Sequence, residues 1–367
     1  MSERLPRIRD VFETIPTYKP GKPPAPRPGR ATFKLSSNEN PYPPLPGVVD
    51  ALGGAAERIN RYPDMGAVHL YERLSERFGV PVDHLAAGTG SVAVLYHLLQ
   101  ALCDPGDEVV YAWRSFEAYP IAVQVTGARS VTVALNAEAE HDFDAMLAAI
   151  TDRTRVVIVC TPNNPTGPIV HGDPLTEFIR RVPPHVVVVV DEAYREFVRD
   201  QHVIDGVDLY RDRDNVVCLR TFSKAYGLAG LRVGYAIAPE PIATAIRKAS
   251  LPFGVSDLAQ VAATVSIDSE DALAERVEAL VAERTRVVDA MREQGWRVPQ
   301  TQANFFWLPL GEDTVAFANA CAQEGVMIRP FAGDGARITI GESEANDTML
   351  DIARNWLATR GGAAGVG

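Results

Sequence analysis

The chain has 367 residues, 46% hydrophobic and 23% charged, with a formal net charge of −11; this is enough apolar material for a large core spread over two domains. The acidic excess argues against nucleic acid as the main partner. No run approaches the ~18 apolar residues of a membrane span, and Met1-Ser2-Glu3-Arg4 lacks the apolar core of a secretory leader.

Lys19 to Pro28 is a proline- and glycine-rich arm, expected to wrap over the surface without chemistry of its own. From about residue 45 to 250, β and α patterns alternate, which predicts an α/β fold: a large, mostly parallel sheet with helices on both faces. The glycine-containing loop Ala87-Gly88-Thr89-Gly90-Ser91-Val92 precedes the apolar helix pattern Val92 to Leu102. A helix start with free backbone NH groups is an anion site, although alone such a loop is more often a simple cap. Asp107-Glu108-Val109-Val110-Tyr111 opens a strand whose two acids read as a solvated start, and it leads into Trp113 to Pro120.

Three further strands share one property. Arg155 to Cys160 runs into the turn Thr161-Pro162-Asn163-Asn164-Pro165-Thr166-Gly167, Val186 to Val190 runs into Asp191-Glu192-Ala193-Tyr194, and Asn215 to Arg220 ends just before Lys224. Apolar runs without alternation are strands buried on both faces. Ligands of open α/β sheets bind beyond the carboxyl ends of the strands, so an asparagine, an aspartate with a tyrosine, and a lysine should converge.

The segment Thr221 to Arg232 sets Lys224 among small hydroxyl residues and glycines, with Arg232 close behind. An isolated Ser-Lys pair reads as a surface lysine. In a crowded, partly desolvated site beside an arginine, however, the amine becomes neutral and attacks aldehydes, while the hydroxyls and the guanidinium fork hold phosphate. An aldehyde that carries a phosphate is pyridoxal 5′-phosphate.

The amphipathic stretch Glu270 to Glu293 begins a second, smaller α+β domain with Trp296 to Val298, Asn304 to Leu308 and Arg337 to Gly341. The expected division is 1–44 for the arm and part of the small domain, 45–265 for the large domain, 266–360 for the small one and 361–367 for a disordered tail. Arg329 and Arg337 follow apolar residues, a pattern usual for solvated strand ends. Cys103, Cys160, Cys218 and Cys321 stand apart in apolar surroundings, as packed reduced thiols of a cytoplasmic protein do. The seven histidines show no zinc spacing, so no metal is expected.

Taken in this order, the Asn-Pro-Thr-Gly turn (Asn164 to Gly167), Asp191-Glu192-Ala193-Tyr194 and Ser223 to Arg232 resemble the motifs of fold-type I pyridoxal-phosphate aminotransferases. The nearest branch is that of the histidinol-phosphate and aromatic amino acid enzymes, and the likeness runs from Leu35 to about Trp356. It implies that Lys224 bonds the cofactor and shuttles the substrate proton. Asp191 would face the pyridine nitrogen; opposite charges ~4 Å apart at an effective dielectric of about 20 attract by roughly 4 kcal/mol before desolvation is subtracted. Asn164 and Tyr194 would hydrogen-bond the ring oxygen. Thr89, Gly90, Ser91, Thr221, Ser223 and Arg232 would hold the phosphate, joined by Tyr62 from the other subunit of a homodimer with shared active sites. Phe116 would stack on the ring, with Trp113 as the competing candidate. Arg337 would pair with the substrate carboxylate, Asn38 and Tyr18 would belong to a lid, and Arg329 could meet a substrate phosphate.

Trp113 to Pro120 and Gln302 to Trp307 resemble the phenylalanine-type members. The expectation is therefore an aromatic amino acid:2-oxoglutarate aminotransferase of amino-acid biosynthesis. The alternatives are histidinol-phosphate aminotransferase, threonine-phosphate decarboxylase and a non-catalytic cofactor-binding regulator. A nicotinamide dehydrogenase is disfavoured because no strand leads into Gly-x-Gly-x-x-Gly.

Overall fold

The computed structural model describes residues 6–21, 23–29 and 31–361. After a short strand β1 (Phe33–Lys34), seven strands build the central sheet: β2 (Leu85–Gly88), β3 (Glu108–Trp113), β4 (Arg129–Ala134), β5 (Thr154–Cys160), β6 (Val187–Asp191), β7 (Val216–Thr221) and β8 (Gly234–Ile237). Their order is β2-β8-β7-β6-β5-β3-β4. Only β8 runs antiparallel to its neighbours β2 and β7, so the sheet is mostly parallel, as the alternating β and α pattern requires.

The valine-rich strands are buried because both faces of the sheet are covered. Successive side chains of a strand point to opposite faces, and here Val188 and Val190 join one apolar cluster while Val187 and Val189 join another. Helices Ser91–Leu102 and Ala118–Thr126 supply Leu95, Leu98, Leu99, Tyr119 and Val123 to the second cluster. Helix Gly172–Arg181 supplies Leu175, Phe178 and Ile179 to the first. Each fully buried valine contributes roughly 1.5–3 kcal/mol relative to exposure. An aspartate in place of Val189 would leave a charge with no water and break the layer.

The start of β3 differs from expectation. Glu108 is 2% exposed rather than solvated. Parallel register sets it opposite Arg129 and Thr154, and its carboxylate accepts from Thr151 Oγ1 at 2.6 Å and Arg153 Nη2 at 3.1 Å. These donors, Thr151 first, hold its carboxyl below the usual range.

Beyond helix Glu270–Glu293, β9 (Phe305–Leu308), β10 (Val326–Met327), β11 (Arg329–Phe331) and β12 (Gly335–Thr339) follow. A three-stranded antiparallel sheet has the order β11-β12-β9, and β10 pairs with β1, which ties the chain's beginning to its end. Trp296 to Val298 form no strand; Trp296 instead packs on Phe317, with ring centroids 5.4 Å apart. The described residues of the arm have no helix or strand. They press so closely on the chain that a Cβ on Gly21 would lie 2.5 Å from Ser36 Oγ. Residues 1–5 and 362–367, which include the chain start and most of the expected tail, lie outside the described residues; Gly361 closes helix Ser343–Gly361. Among the described residues no helix is long and apolar enough to cross a membrane.

Candidate active site

The carboxyl ends of β5, β6 and β7 open into one cleft lined by Asn164, Asp191, Tyr194 and Lys224, together with Arg329 and Arg337 from the three-stranded sheet. The convergence follows from parallel register. Cys160, the last residue of β5, lies beside Asp191, the last of β6, so the loops that follow emerge side by side.

Lys224 Nζ donates to Ser37 O at 3.1 Å and sits 5.8 Å from the centre of the Tyr194 ring. Burial, followed by the charges of Arg337 and Arg232, lowers its pKa to about 7. About half of such an amine is neutral at pH 7 and can act as nucleophile or proton carrier.

Asp191 is buried, and its Oδ2 accepts from Tyr119 Oη at 2.6 Å. Desolvation raises its pKa to about 6, opposed by the bonds from Tyr119 and the Ala193 amide. A carboxylate so held is stabilised by a cationic N–H partner entering the cleft. Tyr194 Oη accepts from Asn38 Nδ2 at 2.9 Å, which leaves its own proton to donate, and burial pushes its pKa up. Asn38 adopts a left-handed backbone with φ 54 and is fixed by a bond of its amide to Thr339 Oγ1 at 2.9 Å.

Arg337 donates from Nη1 to Asn164 Oδ1 at 2.6 Å and from Nη2 to Ser36 O at 2.8 Å, while its Nε has no partner among the described residues. A buried guanidinium that spends only two of its five N–H groups on these bonds is a place for a carboxylate. Arg329 lies opposite it across β11 and β12 and pairs with Glu117 at 2.6 Å.

The opposite end of the cleft suits an anion. Gly90, Ser91, Thr221, Ser223 and Arg232 line it, and the first NH groups of helix Ser91–Leu102 have no partner within the helix. Gly90 takes φ +91, and a Cβ there would lie 2.5 Å from Arg232 Nη2. Gly234 lets β8 abut this loop, since its Cβ would lie 2.3 Å from Ser91 N. Arg232 also donates to Ala229 O at 2.9 Å and Thr89 O at 3.3 Å.

The donor set fits pyridoxal phosphate. A neutral-prone amine, a buried carboxylate, an oxygen that keeps its proton, an unpaired Arg337 Nε and a helix start beside an arginine occupy one cleft. Phe116 lines that cleft and meets Tyr119 edge-on with centroids 5.5 Å apart; Trp113 is not among the lining residues and instead carries the Arg114 guanidinium 4.6 Å from its ring centre. Tyr18 lines the mouth. Pro20 and Gly21 do so too, which gives the arm a share in the site that its composition does not announce. Three of the expected site residues do not line this cleft, and the first, Asn38, is fully buried behind Tyr194, to which it donates. Thr89 lines a neighbouring cavity and reaches Arg232 through its carbonyl. Tyr62 is 82% exposed and stacks on Phe253 with centroids 4.6 Å apart.

Sequence reasoning gives no role to Tyr119, Glu117 or Glu192. Glu192, 1% exposed, accepts from Arg220 at 2.8 Å and from the Gly206 amide at 2.9 Å, which braces the ends of β6 and β7 behind the site. The one signal for Tyr119 is its place within the segment that follows β3.

Comparison with known proteins agrees with this geometry. The family described as aminotransferase class I and II matches residues 30–352. A Streptomyces coelicolor protein named aromatic amino acid aminotransferase is 62% identical over 97% of this chain and 99% of its own length. One of the same name from Mycolicibacterium smegmatis is 48% identical over 98% of each. Among solved structures, histidinol-phosphate aminotransferase from Sinorhizobium meliloti in complex with pyridoxal-5′-phosphate has a TM-score of 0.85 at 25% identity, covering 97% of this chain and 100% of that one. Aspartate aminotransferase from Thermus thermophilus with maleate has a TM-score of 0.79 at 24% identity, covering 88% and 90%, and shares the fold.

Proposed function

Because the chain belongs to the aminotransferase class I and II family, we propose that it moves an amino group between an aromatic L-amino acid and 2-oxoglutarate with pyridoxal 5′-phosphate as cofactor. The observation that carries the substrate class is the cleft wall: Tyr18, Phe116 and Phe331 line the same space as Lys224 and Arg337, so an aromatic side chain finds apolar faces while its carboxylate finds a guanidinium. The relatives named aromatic amino acid aminotransferase support it.

Bound pyridoxal phosphate supplies an aldehyde that captures amines and a cationic ring that withdraws electrons from the amine-bearing carbon. The chain's own residues do the rest. Arg337 takes the substrate carboxylate through its guanidinium. Lys224 Nζ, whose pKa burial lowers to about 7, would accept the proton of the substrate carbon and give it back. Asp191 would hold a proton on the ring nitrogen, and Tyr194 Oη and Asn164 Nδ2 would donate to the ring oxygen. Ser91, Thr221, Ser223 and Arg232, with the amide at Ser91, would bind the phosphate, and Phe116 would cover the ring and exclude water. Tyr18 closes the mouth, and Asn38 acts from behind the cleft by holding Tyr194 Oη.

A homodimer that shares its sites is part of this reading. Ile59, Tyr62, Met65 and Leu251 are each more than half exposed, and Tyr62 stacks on Phe253; a second copy would cover them and receive Tyr62 at its phosphate site. The four cysteines are free and buried, which supports a cytoplasmic setting. We assign residues 45–265 to a large domain and 266–360 to a small one that residues 1–44 help to build, in keeping with the β1–β10 pairing.

A second reading is histidinol-phosphate aminotransferase, favoured by Arg329 in the cleft. Measuring kcat/KM for phenylalanine, tyrosine and histidinol phosphate with 2-oxoglutarate tests both. The aromatic reading predicts that phenylalanine or tyrosine leads, and a clear lead for histidinol phosphate would overturn it.

A further inference from the structure

Arg329 and Arg337 are a register pair of β11 and β12; directly opposed residues of an antiparallel ladder project to the same face with Cβ atoms about 4.5–5.5 Å apart. Both line the cleft, yet their charges are treated differently. Arg337 donates to the neutral acceptors Asn164 Oδ1 and Ser36 O, and its Nε has no partner among the described residues. Arg329 donates from Nη2 to the carboxylate Oε2 of Glu117 at 2.6 Å, the two side chains being 12% and 31% exposed. It also donates to Pro20 O at 3.4 Å and lies 5.6 Å from the centre of the Phe331 ring. One arginine therefore has no carboxylate hydrogen-bonded to it among the described residues, and its neighbour is directly compensated by one.

Resting on the aminotransferase reading above, we propose that Glu117 is a specificity-determining residue: it neutralises Arg329, so that the outer cleft accepts an uncharged aromatic side chain and a substrate with a second anionic group must displace Glu117 to reach Arg329. The exchange is feasible because Glu117 precedes helix Ala118–Thr126, where a released carboxylate remains favoured by the helix dipole. The aromatic substrate leaves the pair intact, sliding along Phe116 and Phe331. The dicarboxylate co-substrate breaks it and exchanges one carboxylate partner of Arg329 for another. Glu117 thus levels two substrates that differ by a full charge and must use one cleft in turn.

The test uses the holoenzyme, with glutarate as a dicarboxylate probe and 3-phenylpropionate as an aromatic monocarboxylate probe, each Kd read from the visible absorption change. Glu117→Gln keeps the shape of the side chain and removes its charge. Glutarate binding should tighten by about fivefold or more, the scale of a partly exposed ion pair, while 3-phenylpropionate changes by less than about twofold. Glu117→Ala should act in the same direction. Adding Arg329→Gln to Glu117→Gln should erase the gain. An unchanged glutarate affinity, an equal change for both probes, or a gain that survives loss of Arg329 would each overturn the proposal. Turnover of phenylalanine with 2-oxoglutarate by the unaltered enzyme is measured alongside. Its absence overturns the substrate reading, whereas turnover with an unshifted probe ratio in Glu117→Gln overturns only the role of Glu117.

Discussion

Arg337 Nη1 donates to Asn164 Oδ1 at 2.6 Å. This bond occupies the amide's acceptor and leaves Nδ2 as the group that can donate into the cleft, so the arginine that would bind a substrate carboxylate also orients the asparagine that would bind the cofactor. Arg337→Lys removes both the fork and the orientation. The expected result is a fall in kcat/KM for phenylalanine of roughly 10- to 100-fold, the worth of a charged hydrogen bond, together with a shifted pH titration of the visible band. A loss of turnover with the titration in place would uncouple the two roles.

Lys224 gives the cofactor-free protein a pH signature. Its pKa is lowered to about 7 from 10.5, chiefly by burial, so the folded chain binds fewer protons than the unfolded chain between those values. This lysine's contribution to stability therefore rises with pH across that window and is least favourable below it. Capture of added pyridoxal phosphate, followed by stopped-flow absorbance, should accelerate with a midpoint near pH 7. A rate still climbing steeply above pH 9 would mean an ordinary exposed amine.

Tyr119 donates to Asp191 at 2.6 Å and thereby opposes the desolvation that raises the carboxyl's pKa to about 6. Tyr119→Phe removes that bond, so the carboxyl should titrate higher and hold a ring proton less firmly. A carboxyl raised in this way loses its charge as pH falls through its folded value. Cofactor retention after dialysis should consequently fail at a higher pH in the variant, with kcat reduced by about 10-fold or more. If both profiles overlay those of the parent protein, the bond has no functional weight.

Gly90→Ala tests the anion end. Gly90 has φ +91, and its Cβ would come within 2.5 Å of Arg232 Nη2, so the variant combines backbone strain of about 1 kcal/mol or more with a displaced guanidinium. Weaker binding of pyridoxal phosphate, by about tenfold for each 1.4 kcal/mol lost, should appear in equilibrium titration. Inorganic phosphate should protect the variant from thermal unfolding less than it protects the parent. Equal protection would place the anion elsewhere.

The local chemistry of the chain fixed much of this protein. Runs of β-branched residues, breakers and glycines act on near neighbours, so the strand ends that carry Asn164, Asp191 and Lys224 were legible, as was helix Glu270–Glu293 to its last residue. The partners of those groups were not legible. Tyr119 meets Asp191 across 72 positions, Glu117 meets Arg329 across 212, and Arg337 meets Asn164 across 173. Glu108 read as solvated because its neighbours in sequence are polar, while the residues that satisfy it arrive from another strand and another loop. Periodicity and turn chemistry are properties of contiguous backbone, whereas burial, pairing and the resulting pKa shifts depend on which distant segments the folded sheet sets side by side.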